Sequence, residues 1–167
     1  MSELTIAELN RAEGETFVDL LGSVYETSPW VAERAAADRP FSSVDDVHDA
    51  MRSVVEEASR AKQLELLRAH PDLGERTEMT EASQAEQASA GLDQLGPEQY
   101  ETFQRLNETY RGKFGFPFIM AVKEESPDVI QAAMETRVDH AESEEFRTAL
   151  EEVHTIARFR LEALLDG

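Results

Sequence analysis

The chain has 167 residues, 41% of them hydrophobic, with only 8 Gly and 6 Pro. That balance excludes a disordered tail, and the length predicts a single compact domain, 1–167, burying roughly two-thirds of its unfolded surface. Thirty-five acidic residues against 16 basic ones leave a formal charge of −19, which argues against nucleic acid as a partner, whose phosphates would be repelled. Cysteine is absent, so disulfides, thiolate nucleophiles and Cys-ligated metals are excluded.

The acids are dispersed along the chain and lysine occurs only at Lys62, Lys113 and Lys123. This pattern fits a solvated surface adapted to high salt, where repulsion is screened within about 3 Å at 1 M, better than a patch for a cationic partner. A halophilic source is the expectation. No apolar run reaches the roughly 18 residues of a bilayer span, the first residues lack the basic-then-apolar order of a leader, and Leu164-Leu165-Asp166-Gly167 is not a peroxisomal address. A cytoplasmic protein without membrane partners is expected.

Helical rather than alternating periodicity runs through nearly every segment, predicting an all-α domain of eight or nine helices. The first two are expected at Thr5–Ala12 and Glu15–Tyr25, and a third at Pro29–Ala37, with Pro29 in the first turn and Trp30 in the core. Ser43 followed by Asp46 reads as an N-cap with an acidic first turn, opening a helix to Glu57. The next helix, Arg60–Ala69, must stop where Pro71 disfavours the α conformation at His70.

A short helix at Glu81–Ala90 and a longer one from Pro97 to Lys113 follow, separated by Gly96-Pro97. Pro117 prevents Phe114-Gly115-Phe116-Pro117-Phe118 from continuing as helix, so a buried irregular corner is expected there. Ser126-Pro127 starts a helix to Arg137, and Ser143 is expected to cap a final one, Glu144–Leu165.

His70 stands at a helix exit, and an imidazole is the natural acid or base near neutrality. The other histidines suit different places: His154 on a helix flank, His48 among acids, and His140 in a loop without an evident partner. No His-Glu-x-x-His spacing supports a zinc site, and no Gly-x-Gly-x-x-Gly or P-loop supports a nucleotide cofactor. Ser83, Glu86, Gln87 and Ala90 share one helical face. That face is either a solvated one, with Ser83-x-x-Glu86 as a capping box, or a binding surface. Arg160 lies about 20° off the line of Val153 on the apolar stripe of the last helix. Its guanidinium is either one half of a buried ion pair or a clamp for an anion.

Six stretches carry a resemblance that none of them carries alone. They are Arg39-Pro40-Phe41, His70-Pro71-Asp72-Leu73-Gly74, Ser83-x-x-Glu86-Gln87-x-x-Ala90-Gly91-Leu92, Leu106-Asn107-x-x-Tyr110, Phe114-Gly115-Phe116-Pro117-Phe118-Ile119 and Ile156-x-x-x-Arg160-Leu161. In order and spacing they resemble the signatures of the OHCU decarboxylases, along the whole chain. OHCU is a carboxylated ureidoimidazoline, the last intermediate between urate and allantoin, and the family converts it to CO2 and S-allantoin.

The resemblance implies an all-helical homodimer acting on a small molecule with neither metal nor organic cofactor. It implies His70 as the proton-transfer residue, with Glu86 and Arg160 assisting. Pro71, Ser83 and Gln87 would bind substrate, as would the backbone of Phe118, Ile119, Met120, Ala121 and Val122, whose irregular chain leaves N–H and C=O groups to be satisfied. Phe114, Phe116 and Pro117 would wall the site or simply pack the core, and Arg39 and Asn107 would position helices. One departure stands out: Lys123-Glu124-Glu125 replaces a stretch where the family pattern carries a glycine. A hydrolase of a related cyclic ureide and a non-catalytic helical interaction domain are the competing readings.

Overall fold

The structure, a computed structural model, describes residues 4–74 and 81–166. Among them nine α-helices account for most of the chain: α1 (Ile6–Arg11), α2 (Gly14–Leu21), α3 (Pro29–Ala35), α4 (Val44–Glu57), α5 (Arg60–Arg68), α6 (Glu81–Ser89), α7 (Pro97–Phe114), α8 (Pro127–Arg137) and α9 (Glu142–Leu164). The fold is all-α as expected, with one short addition. Residues Leu4–Thr5 (β1) and Leu165–Asp166 (β2) pair in parallel, Leu4 opposite Leu165.

The described residues form two compact units, one running to Ala69 and resuming at His154, the other spanning His70 to Val153. In the first unit α3 packs against both α2 and α4, and Leu9, Phe17, Leu21, Val31, Val47 and Met51 are fully buried. Arg39 closes α1 by donating through Nη1 to the carbonyls of Leu9 and Ala12, with its guanidinium over the Phe17 ring. This matches the helix-positioning role expected of it. Ser43 caps α4 by accepting the Asp46 N–H at 3.2 Å.

Three local expectations are corrected. Helix α2 ends at Leu21 rather than Tyr25: Gly22 caps it with its N–H on the Val18 carbonyl, and a Cβ there would lie 2.5 Å from that oxygen. Trp30 is half-buried rather than core, with Arg34 and Lys62 each 5.3 Å from its ring centre. Ser143 is inside α9 instead of capping it, since the Glu145 N–H already reaches the Ala141 carbonyl at 3.0 Å.

The second unit is built around aromatic packing. Tyr110 on α7 lies 4.5 Å from Phe114, 5.9 Å from Phe116 and 5.4 Å from Phe118, measured between ring centres. Phe116 also meets Phe146 of α9 at 6.0 Å. Helix α7 stops at Gly115, whose φ of 82° is the left-handed conformation that glycine tolerates best. Beyond it Pro117 forbids helix, and the rings of Phe116 and Phe118 turn inward. Phe114 and Phe116 thus take part in core packing.

Candidate active site

Helix α5 ends at Arg68, Ala69 caps it, and His70 follows in a bend, 7% exposed. From Asp72 to Gly74 the stretch after it is held residue by residue. Asp72 pairs with Arg111 of α7 at 2.6 Å, the Leu73 carbonyl accepts from Asn107 Nδ2 at 2.9 Å, and the Gly74 N–H donates to Gln87 Oε1 at 3.0 Å. Gly74 is at φ +77°, and a Cβ there would come within 3.0 Å of both Leu95 and Phe103. Only glycine fits that turn without displacing the core. Helices α6 and α7 therefore fix the chain that leaves His70.

Helix α6 begins at Glu81, which places Ser83 inside the helix rather than at its cap. Ser83 and Gln87 are buried and Glu86 is half-buried. The capping-box and solvated-face readings both fail on these facts: Ser83 and Gln87 face the interior, while Glu81, Gln84 and Ser89 of the same helix are exposed. At the other end of α6, Ser89 Oγ donates to the Glu86 carbonyl at 2.7 Å and accepts the Glu124 N–H at 3.0 Å. One helix thus ties the residues after His70 to the chain just beyond Val122.

That chain takes a turn conformation that favours glycine. Glu124 has φ 62°, and the Glu125 N–H closes a turn onto the Val122 carbonyl at 2.9 Å. A left-handed position, which favours glycine, is thus occupied here by a residue with a Cβ, within the stretch where the resemblance implies a glycine.

Phe118, Ile119 and Val122 are buried, and Met120 and Ala121 half-buried. Two of the backbone groups expected to await a ligand already have protein partners. Arg137 Nη1 donates to the Ile119 carbonyl at 2.7 Å, and the Ala121 N–H donates to Glu152 Oε1 at 3.0 Å.

Behind this segment lies a polar cluster that spacing arguments overlooked. Glu145, fully buried, accepts from the Tyr110 hydroxyl at 2.5 Å and from Arg137 Nε at 2.9 Å, and its other oxygen lies 2.8 Å from His140 Nδ1. Burial, followed by the hydrogen bond to Glu145, holds the Tyr110 phenol above its ordinary range, with Arg137 opposing the shift. His140 therefore does have a partner. Helical arithmetic could have found the cluster: Arg137 is three residues after Met134 and seven after Ile130, and Glu145 four before Ala149, all on buried stripes.

Arg160 belongs to the other unit. Its Nη2 donates to Glu26 at 3.0 Å and its Nη1 to the Ser23 carbonyl at 3.2 Å, with Glu26 and Arg160 both buried. The buried ion pair anticipated as one alternative is present. In the same unit His154 is 1% exposed, not on a helix flank: Nδ1 faces the Tyr25 hydroxyl at 2.7 Å and Nε2 the Glu56 carboxylate at 2.9 Å. His48 Nε2 in turn lies 2.9 Å from the His154 carbonyl. Among the described residues no cluster of His, Asp and Glu could hold a metal ion, and no helix is long and apolar enough to cross a membrane.

Comparison with known proteins agrees with the arrangement of signatures. The chain is 70% identical over 161 residues to a 2-oxo-4-hydroxy-4-carboxy-5-ureidoimidazoline decarboxylase of Haloferax volcanii, covering 96% of each chain. It is 65% identical to the protein of the same name from Halalkalicoccus jeotgali, covering 98% of this chain and 93% of that one. Its fold superposes with TM-score 0.81 and 34% identity on the crystal structure of an (S)-allantoin synthase, covering 98% of this chain and about half (55%) of that longer one. The family model for OHCU decarboxylase matches residues 10–162, and the chain belongs to that family.

Proposed function

We propose that this protein decarboxylates OHCU to S-allantoin and CO2, the step that completes urate conversion to allantoin, with His70 as general acid. The observation that carries the reading is the double tether of α6. Through Gln87 and Ser89 it links the chain leaving His70 to the segment after Phe118, and the same helix carries the buried Ser83 and the half-buried Glu86. Family membership supplies the substrate.

Decarboxylation needs an acceptor for the electron pair left by CO2, a task often given to a cofactor. Here the substrate contains one. The carboxylated carbon adjoins the ring C=N, so as the C–C bond breaks its electrons form a C=C bond and the imine pair moves to nitrogen, which takes up a proton. The resulting enol then gains a proton at the ureido-bearing carbon while its hydroxyl becomes the carbonyl of allantoin. The protein's task is orientation, charge stabilisation and delivery of that proton to one face. His70 delivers it, a role worth about 10² to 10⁴ in rate. Glu86 fixes the protonation state of the imidazole or binds the ureido group.

Pro71, Ser83 and Gln87 contribute contacts to the substrate, and Phe118, Ile119, Met120, Ala121 and Val122 bind its ring through the backbone groups that remain. Arg160 is assigned to the substrate carboxylate, its fork oriented by Glu26. The assignment takes 1–167 as one functional domain, in a cytoplasmic homodimer of a salt-adapted organism. The acidic surface and the Haloferax relative support the last point, and the family resemblance supports the dimer, which light scattering would test.

Purified protein supplied with freshly generated OHCU should release CO2 faster than spontaneous decay and give S-allantoin in enantiomeric excess by circular dichroism. Racemic allantoin at the uncatalysed rate would overturn the assignment. A ring-opened product without CO2 would favour the hydrolase reading.

A further inference from the structure

The Arg137–Glu145 pair lies outside every role assigned so far. Arg137 is the last residue of α8 and is 8% exposed. Its three visible engagements converge on one place: Nη1 on the Ile119 carbonyl at 2.7 Å, the guanidinium 4.4 Å from the centre of the Phe118 ring, and Nε on Glu145 at 2.9 Å. A planar, permanently charged fork can hold a carbonyl, a carboxylate and a ring face at once, whereas an ammonium cannot. Glu145 is itself held by the Tyr110 hydroxyl and by His140.

A buried ion pair is weak evidence for stability, since an apolar pair of similar volume often serves as well. Arg137 Nη2 also finds no hydrogen-bond partner among the described residues, a cost that a purely stabilising side chain would avoid. What the pair does achieve is specific: it fixes the orientation of the Ile119–Met120 peptide, in a stretch where Pro117 prevents a helix from doing so.

We propose that Arg137, anchored by Glu145, is a positioning residue that sets the shape of the Phe118–Val122 backbone for ring binding without touching the substrate. This rests on the reading of that segment as the ring-binding stretch. It predicts an effect on binding rather than on the proton-transfer step.

The test uses the full chain and two variants. Arg137→Lys keeps the charge beside Glu145 but cannot span it and the Ile119 carbonyl together. Arg137→Met with Glu145→Gln removes both charges, stranding neither, and leaves an amide for Tyr110 and His140, so it decides the matter should the first variant not fold. Folded variant is expected to show KM for OHCU raised at least tenfold with kcat within threefold of the parent. Hydrogen exchange supplies the control, with allantoin expected to protect the amides of 118–122 in the parent and less so in the variant. Protection in the parent with an unchanged KM in the variant would overturn the positioning role alone. No protection in the parent would overturn the ring-binding reading and this proposal with it.

Discussion

Gln87 Oε1 accepts the Gly74 N–H at 3.0 Å, so a residue expected to touch substrate also fixes the turn that follows His70. The two ends of its amide have separable uses. Gln87→Glu keeps the acceptor for Gly74 and deletes the NH2 donor; Gln87→Met deletes both. The Met variant should lose about 1–3 kcal/mol in urea denaturation through an unsatisfied buried N–H. The Glu variant should hold Gly74 yet lose turnover. If both variants kept full activity, Gln87 would have no part in the site.

His70→Asn and Glu86→Ala test the chemistry itself. Each is expected to lower kcat/KM by about 10² or more while leaving the denaturation midpoint close to the parent's. His70 is a single buried residue in a bend, and the nearby Asp72, Leu73 and Gly74 are held by Arg111, Asn107 and Gln87, so the bend should survive the change. Parent-level rates of S-allantoin formation in both variants would support a non-catalytic domain instead.

The sequence made the helical path and the helix exit at His70 legible because proline and capping residues act locally: Ser43 caps, Pro71 and Pro117 interrupt, Gly115 terminates. It made Ser83, Glu86 and Gln87 legible as one face, but not whether that face looks inward, which depends on tertiary packing. The Tyr110–Glu145–Arg137 cluster joins residues 35 and 8 positions apart. No local pattern pairs them, although each sits on an apolar stripe. His154 misled for the same reason: one position off the stripe is still interior when Tyr25 and Glu56 arrive from 129 and 98 residues away.

Tyr110 gives the pH dependence a sign. Its phenol is held above the ordinary value near 10 by burial and by donation to Glu145. A group whose folded pKa exceeds its unfolded one stabilises fully below the unfolded value and loses that contribution as pH rises toward the folded one. Urea midpoints should therefore fall above about pH 10, and the fall should be shallower in Tyr110→Phe. Equal slopes in the two proteins would show that alkaline unfolding has another origin.

Glu124 occupies a left-handed position at φ 62°, which costs a residue with a Cβ about 1–2 kcal/mol. Glu124→Gly relieves that strain and removes one acidic charge, against the greater entropy of a free glycine. A net gain of about 0.5–1 kcal/mol is expected, with unchanged kcat, because the Glu124 N–H that binds Ser89 belongs to the backbone. A loss of stability would mean that the Glu124 side chain contributes contacts outweighing the strain.

The Glu26–Arg160 pair changes how an anion clamp must be tested. Arg160→Met alone would leave the Glu26 carboxylate buried without its cation, its side chain only 2% exposed, a loss of about 3–5 kcal/mol whatever Arg160 does for the substrate. Combining Arg160→Met with Glu26→Gln removes both charges and keeps the volume. If Arg160 holds the substrate carboxylate, the double variant should match the parent in thermal stability to within a few degrees while kcat/KM falls by at least 10². Stable and active protein would assign Arg160 to the ion pair alone, and the carboxylate would then need another partner among the cations of the chain.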